Sequence, residues 1–301
     1  MTRLLLLLML AAPLWQDQRY LLSVDVDLVN VAVNAIDASG RPIEGLAADD
    51  FQVFEDGHEQ KLSFFSHDAH VPVSVGALID VSGSLQDKIH QGLQTVNEIA
   101  AGLTAKDEMF VIVFNSRAEV RQKFTNEPAQ IQRSLLNIRT GGETAVYDAI
   151  SLGLSEMKAA KNKKRVLLLL SDCFDTRSKI KADQAEDMLK NSDALVYAIG
   201  LDDDDNDPQT RKRPRYHIYE YMLNKLTSAS GGRLIRVYST RVYDMRRMAE
   251  GLLGELRQEY TMGYYPGDRS QDSRLRSIEV RATRPGVRVF GEKLRLEIRG
   301  Q

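Results

Sequence analysis

"VSVGALIDVSGSL", residues 73–85, decides how this sequence folds. Its first eight residues form a nearly continuous apolar run. A strand with one wet face alternates apolar and polar residues, so an unbroken run marks a strand covered on both faces. The run stops at Asp80, and Ser82 and Ser84 follow at alternate positions. Beyond them Leu85, Ile89, Leu93, Val96, Ile99, Ala100 and Leu103 recur with the period of a helix. The stretch therefore reads as buried strand, oxygen-rich loop, amphipathic helix.

The same alternation continues downstream. "MFVIVFNS" (109–116) and "AEVRQKF" (118–124) read as strands, and 128–138 as a short helix. Val146, Ala149, Ile150, Gly153, Leu154 and Met157 line a helical face, and "RVLLLLSD" (165–172) is a second buried strand. Residues 179–191 read as helix, "ALVYAIGL" (194–201) as strand and 218–230 as helix. "GGRLIRV" (231–237) gives a last strand and 240–258 a last helix. Strands alternating with helices imply a three-layer, doubly wound α/β fold around a mostly parallel sheet.

The flanks read differently. "LLSVDVDLVNVAVNAID" (21–37) alternates with a phase slip at Leu28–Val29 that suits a bulge. "FQVFEDGHEQKLSFF" (51–65) is two short strands around Asp56-Gly57, a strong hairpin signal. After Glu259 short strands return in "YTMGYYP", "LRSIEVRAT" and "EKLRLEI". Short strands need neighbours, so the flanks are expected to pack together as a small β-sandwich-like domain. The expected organisation is a leader over 1–20, an N-terminal β segment over 21–70, the α/β domain over 71–257 and a C-terminal β segment over 258–301.

Composition bounds the function. The 301 residues are 43% hydrophobic and 27% charged, ordinary globular material. A net charge of −2 gives no field to recruit nucleic acid. The leader "MTRLLLLLMLAAPLW" places Arg3 before a short apolar run and matches a signal peptide, implying a periplasmic or extracellular protein. An N-terminal buried helix and an uncleaved anchor are the alternatives, the latter giving the one membrane attachment. Cys173 is the single cysteine, which excludes an intrachain disulfide and a cysteine-rich zinc site. The acidic run 202–208 and the basic run 211–215 lack the spacing of a calcium loop and read as solvated.

In open α/β sheets ligands bind beyond the carboxyl ends of the parallel strands. Asp80 ends one buried strand, Ser82 and Ser84 follow it, Thr144 precedes a helix and Asp172 ends another strand. These five groups are all hard oxygens, a set suited to Mg²⁺ or alternatively Ca²⁺ or Mn²⁺. Two carboxylates balance a divalent cation, and weakly donating hydroxyls leave it open to a further anionic oxygen. Each also has a plainer reading: Asp80 with its serines, and Thr144, could be helix caps, and Asp172 could simply end a strand.

"DVSGS", "TGGETAVYDAI" and "LLLLSDCFD" resemble the metal-ion-dependent adhesion site, MIDAS, of von Willebrand factor type A (VWFA) domains. The motif maps onto Asp80, Ser82, Ser84, Thr144 and Asp172, and the order of elements fits over 71–257. The flanks resemble those of bacterial exported VWFA-related domain proteins. The resemblance implies metal held by Ser82, Ser84 and Thr144, with Asp80 and Asp172 bound directly or through water, and supporting roles for Asp148 and Asp175. Cys173 departs from it, since many relatives carry glycine there, and so does the ending "RVFGEKLRLEIRGQ".

No catalytic constellation emerges. There is no Gly-x-Ser-x-Gly elbow, no His-Glu-x-x-His and no glycine-rich phosphate loop. An Asp-x-Asp phosphatase would need a carboxylate at Ser82. The sequence is therefore read as an exported binding module that captures an acidic group of a partner protein, not as an enzyme. A metal-assisted hydrolase and a metal-independent scaffold are the alternatives.

Overall fold

A computed structural model describes residues 28–38, 40–172, 174–200, 214–236, 242–266, 275–291 and 295–297. The leader, the first part of the 21–37 strand reading with the residues before its phase slip, Cys173 and most of the charged run 202–215 lie outside the described residues. In chain order the elements are β1 (Val29–Ile36), β2 (Phe51–Glu55), β3 (His58–Gln60), β4 (Leu62–Asp68), β5 (Val73–Asp80), α1 (Ile89–Ala101), β6 (Glu108–Phe114), β7 (Ala118–Thr125), α2 (Pro128–Ser134) and α3 (Val146–Met157). There follow β8 (Lys164–Leu170), α4 (Ala182–Lys190), β9 (Ala194–Gly200), α5 (Pro214–Ser230), β10 (Leu234–Arg236), α6 (Val242–Arg257), β11 (Glu259–Tyr264), β12 (Leu275–Ala282), β13 (Arg288–Gly291) and β14 (Arg295–Glu297). Among the described residues no helix is long and apolar enough to cross a membrane.

The central sheet has the order β10-β9-β8-β5-β6-β7 and is parallel except for β7. All eight residues of β5 are buried, as its apolar run requires. Val73, Val75, Ala77 and Ile79 point into one core with Val96 and Ile99 of α1 and Leu252, Leu253 and Leu256 of α6. Leu78 points into the opposite core with Phe110, Ile150 of α3, Leu189 of α4 and Leu226 of α5. Position 76 must be glycine, because a Cβ there would lie 2.2 Å from the Phe110 ring. The fold is thus the expected three-layer α/β arrangement.

The flanks build two four-stranded sheets, β13-β1-β11-β4 and β14-β12-β2-β3, around one further core. Strands from both chain ends interleave: β11 lies between β1 and β4, and β12 pairs with β2. Asp56 and Gly57 carry the positive φ values, 48° and 82°, that a tight hairpin turn between β2 and β3 demands. β13 has no counterpart in the sequence reading. It pairs with β1 through residues 33–36, a partnership set by tertiary register.

The α/β unit meets these sheets at the amino ends of its parallel strands. There Lys164 Nζ donates to Asn34 Oδ1 at 2.7 Å and pairs with Glu259 at 3.1 Å, while Asn34 Nδ2 donates to the carbonyls of Glu255 and Gln258. Glu255, fully buried, receives Arg233 at 2.5 Å and the Tyr197 hydroxyl at 3.0 Å. Asp107 accepts from the N–H of Val73 and Thr104, from the Thr104 hydroxyl and from Arg257. Burial alone would raise its carboxyl, but these donors hold it below the usual range.

Candidate functional site

Strand register assembles the opposite end. Within the sheet Ile79 lies beside Leu170 and Asp80 beside Phe114, so Ser171 emerges next to Asp80 and Asp172 one residue further on. Asp80 is fully buried. Its Oδ1 accepts the Ser82 N–H at 2.8 Å and its Oδ2 accepts the Ser171 hydroxyl at 2.6 Å. The first bond bends the chain sharply after β5, and a short 3-10 turn over Gly83–Leu85 follows. The helix therefore starts at Ile89 rather than at Leu85, because the turn that presents Ser82 and Ser84 uses the intervening residues. The Ser82 and Ser84 hydroxyl oxygens stand 3.1 Å apart.

The loop bearing Thr144 is tied against this turn. Gly83 N–H donates to the Gly142 carbonyl at 3.2 Å, and Gly141 N–H donates to the Val81 carbonyl at 2.8 Å. Asn115 Nδ2 donates to the Gly141 carbonyl at 3.0 Å, and Ser116 Oγ accepts the Glu143 N–H at 3.0 Å. Gly142 has a φ of 86°, and a Cβ on it would meet Ser116 Oγ at 2.9 Å, so glycine is required for the close approach. Thr144 is buried, its N–H donating to Thr176 Oγ1 and its carbonyl accepting from the N–H of Thr176 and Arg177.

None of the three hydroxyls caps a helix. The caps of the 3-10 turn and of α1 make no side-chain bond. The N-terminus of α3 is capped from across the loop instead: Asp175 Oδ2 accepts the Val146 N–H at 2.9 Å, and Ser178 Oγ accepts those of Tyr147 and Asp148. Thr144 needs no capping role, and its hydroxyl has no partner among the described residues. Asp148 in turn accepts the N–H groups of Lys179 and Ile180, which holds them outside α4 and delays that helix to Ala182. Asp148 and Asp175 thus fasten the loop that follows Asp172.

Charge at this end is uncompensated. Burial pushes the Asp80 carboxyl up to about 6, against hydrogen bonds from Ser171 and Ser82, and the negative charge of Asp172 adds to the rise. Asp172 Oδ1 is buried with no hydrogen-bond partner among the described residues. No Lys or Arg among them pairs with either carboxylate. An orphaned carboxylate oxygen, a second carboxylate and three hydroxyls fit a hard divalent cation. Among the described residues no three His, Cys, Asp or Glu side chains converge, so a cation here would depend on the hydroxyls to complete its shell.

Sequence reasoning missed Ser171, which holds Asp80, and the Asp175–Ser178 cap. The first had a signal in the Ser-Asp pair that ends the apolar strand. The cap acts across about thirty residues and carries no local period.

Residues 76–174 match the family model of the von Willebrand factor type A domain. No curated protein matches the sequence. A solved structure described as von Willebrand factor type A from Catenulispora acidiphila is similar in fold, at 14% identity and TM-score 0.51, covering 81% of this chain and 73% of that one. An aerotolerance-related membrane protein from Bacteroides fragilis is also similar, at 18% identity and TM-score 0.49, with 61% of this chain and 98% of that one covered. The matched segment runs from inside β5, through the Asp80 turn and the Thr144 loop, to just beyond Asp172, and this chain accordingly carries a von Willebrand factor type A domain, a protein-interaction module.

Proposed function

We propose that this protein is an exported binding module whose VWFA domain captures a carboxylate of a partner protein through a divalent cation. Ser82, Ser84 and Thr144 would hold the cation together with Asp80 and Asp172, and Mg²⁺ is the expected occupant, with Ca²⁺ or Mn²⁺ as alternatives. Once bound, it supplies an open coordination position to an outside carboxylate oxygen. The chain's own residues fix the donors: Ser171 and the Ser82 N–H orient Asp80, the Gly141–Gly142 contacts press the Thr144 loop against the serine turn, and Thr176 steadies Thr144.

The observation that carries this reading is the orphaned Asp172 oxygen beside the buried Asp80, with no cationic side chain among the described residues paired to either. A buried carboxylate beside a half-buried one with an orphaned oxygen, and with no counter-charge among the described residues, is costly to fold, and a bound cation would remove that cost. The Arg3-led apolar leader supports export. The test is thermal melting across a Mg²⁺ series for wild type and Thr144→Val. That substitution keeps the shape and removes a hydroxyl with no partner of its own. Wild type should gain stability with metal concentration by mass action. Thr144→Val should melt like wild type in chelator and gain much less with Mg²⁺. An equal gain in both proteins would remove Thr144 from the site.

A further inference from the structure

The rim around the five-residue site is charged in a lopsided way. Two clefts flank it and share Arg117. One, of about 290 Å³, is lined by Val81, Arg117, Glu119, Arg121 and Arg139 among others. The other, of about 880 Å³, is lined by Ser116, Arg117, Asp148, Thr176, Arg177 and Lys179 among others. Five cationic side chains thus face two carboxylates, in a protein whose net charge is −2.

Most of this positive charge is uncommitted. Asp148 is occupied by backbone N–H groups. Arg177 pairs with the exposed Glu143 at 3.5 Å, and Arg121 donates to carbonyls of Ser134 and Leu136. The exposed side chains of Arg117, Arg139 and Lys179 have no hydrogen bond or ion pair among the described residues. Arg117 also sits on a fixed base, since the preceding Asn115 and Ser116 are bonded to the loop that carries Thr144. The arginine-lined cleft at the other end of the sheet differs. There Arg41 is locked to Asp37 and Arg233 to Glu255, so much of its charge is spent inside the protein.

We propose that the rim selects a partner whose captured carboxylate lies within an acidic peptide stretch, with Arg117, Arg139 and Lys179 engaging the neighbouring acidic side chains. This rests on the carboxylate-capturing reading above and adds the sequence context of the captured residue. Exposed cations of this kind act mainly through steering and specificity, and they weaken with salt.

The test uses two fluorescent synthetic peptides of glycine and serine, one with a single glutamate and one with that glutamate flanked by two acidic residues on each side. Binding is read by anisotropy in Mg²⁺ and in chelator. Wild type should bind the acidic peptide about tenfold tighter, three exposed pairs each contributing a few-fold, and the preference should shrink at high salt. The Arg117→Gln/Arg139→Gln/Lys179→Gln variant should bind both peptides equally and keep its Mg²⁺ affinity, and Arg41→Gln should keep the preference. No preference in wild type, or an undiminished one in the triple variant, would overturn the proposal. A preference that is lost in the triple variant yet insensitive to chelator would support the rim's role and overturn the metal-dependent reading instead.

Discussion

The two ends of the central sheet treat buried charge in opposite ways. At the amino ends of the parallel strands three buried charges have partners of opposite charge, Glu255 with Arg233, Lys164 with Glu259 and Asp107 with Arg257, while the buried Glu108 accepts from the Ser74 hydroxyl and the Lys161 N–H. At the carboxyl ends Asp80 and Asp172 stand near each other without a paired cation among the described residues, although Arg117, Arg139 and Lys179 at the rim have no side-chain partner among those residues. The amino end is completed by the fold itself and joins the VWFA domain to the flanking sheets. On the proposed reading, the carboxyl end is left for a divalent cation to complete.

This contrast breaks most visibly at Glu255. Glu255→Ala strands Arg233 and the buried Tyr197 hydroxyl, and removing one partner of such a network should cost about 3–5 kcal/mol. Urea unfolding measures it, and Mg²⁺ affinity of the folded protein should stay unchanged. A loss below about 1 kcal/mol would mean that the Glu255 network contributes little to stability.

Asp107 sharpens the same point through pH. Its carboxyl titrates below the usual range in the folded protein, so its contribution is complete above the unfolded value of about 3.9 and is lost as pH falls through the lower, folded value. Asp107→Asn should destabilise by about 2 kcal/mol at neutral pH, as expected for hydrogen bonds to a charged group. The variant should also lose less stability than wild type between pH 4 and 2. Parallel pH profiles for the two proteins would remove Asp107 from the acid response.

Much of this organisation was legible in the sequence, and the reasons are local. The unbroken apolar run of β5 announced a parallel strand covered on both faces, and the helical periods after it fixed the fold class. The hairpin at Asp56-Gly57 followed from turn chemistry. The register that sets Ser171 beside Asp80 depends on how two distant strands pair, so neither run shows it alone. The cap on α3 escaped because Asp175 and Ser178 act across the loop, whereas a cap sought in sequence is adjacent. The partners of Asp107, Lys164 and Glu255 were hidden likewise, since Arg257 and Arg233 reach Asp107 and Glu255 from distant elements of the same domain, and Asn34 and Glu259 reach Lys164 from the flanks.

The smallest expected effect tests that distant cap. Ser178→Ala leaves the N–H groups of Tyr147 and Asp148 with one acceptor fewer, and loss of a cap typically costs about 1 kcal/mol. Chemical denaturation in chelator reads the stability. A cost indistinguishable from zero would show that Asp175 or water satisfies α3 without Ser178.

The central claim is that the carboxyl end of the sheet lacks a positive charge that a divalent cation supplies. Calorimetric titration of Mg²⁺ into wild type and Asp80→Ala tests it most directly. The account predicts binding to a single site in wild type and no measurable heat of binding in Asp80→Ala, because one of two compensating carboxylates is gone. Equal heats and equal affinities in the two proteins would contradict it and leave Asp80, Ser82, Ser84, Thr144 and Asp172 as parts of turns and strand ends alone.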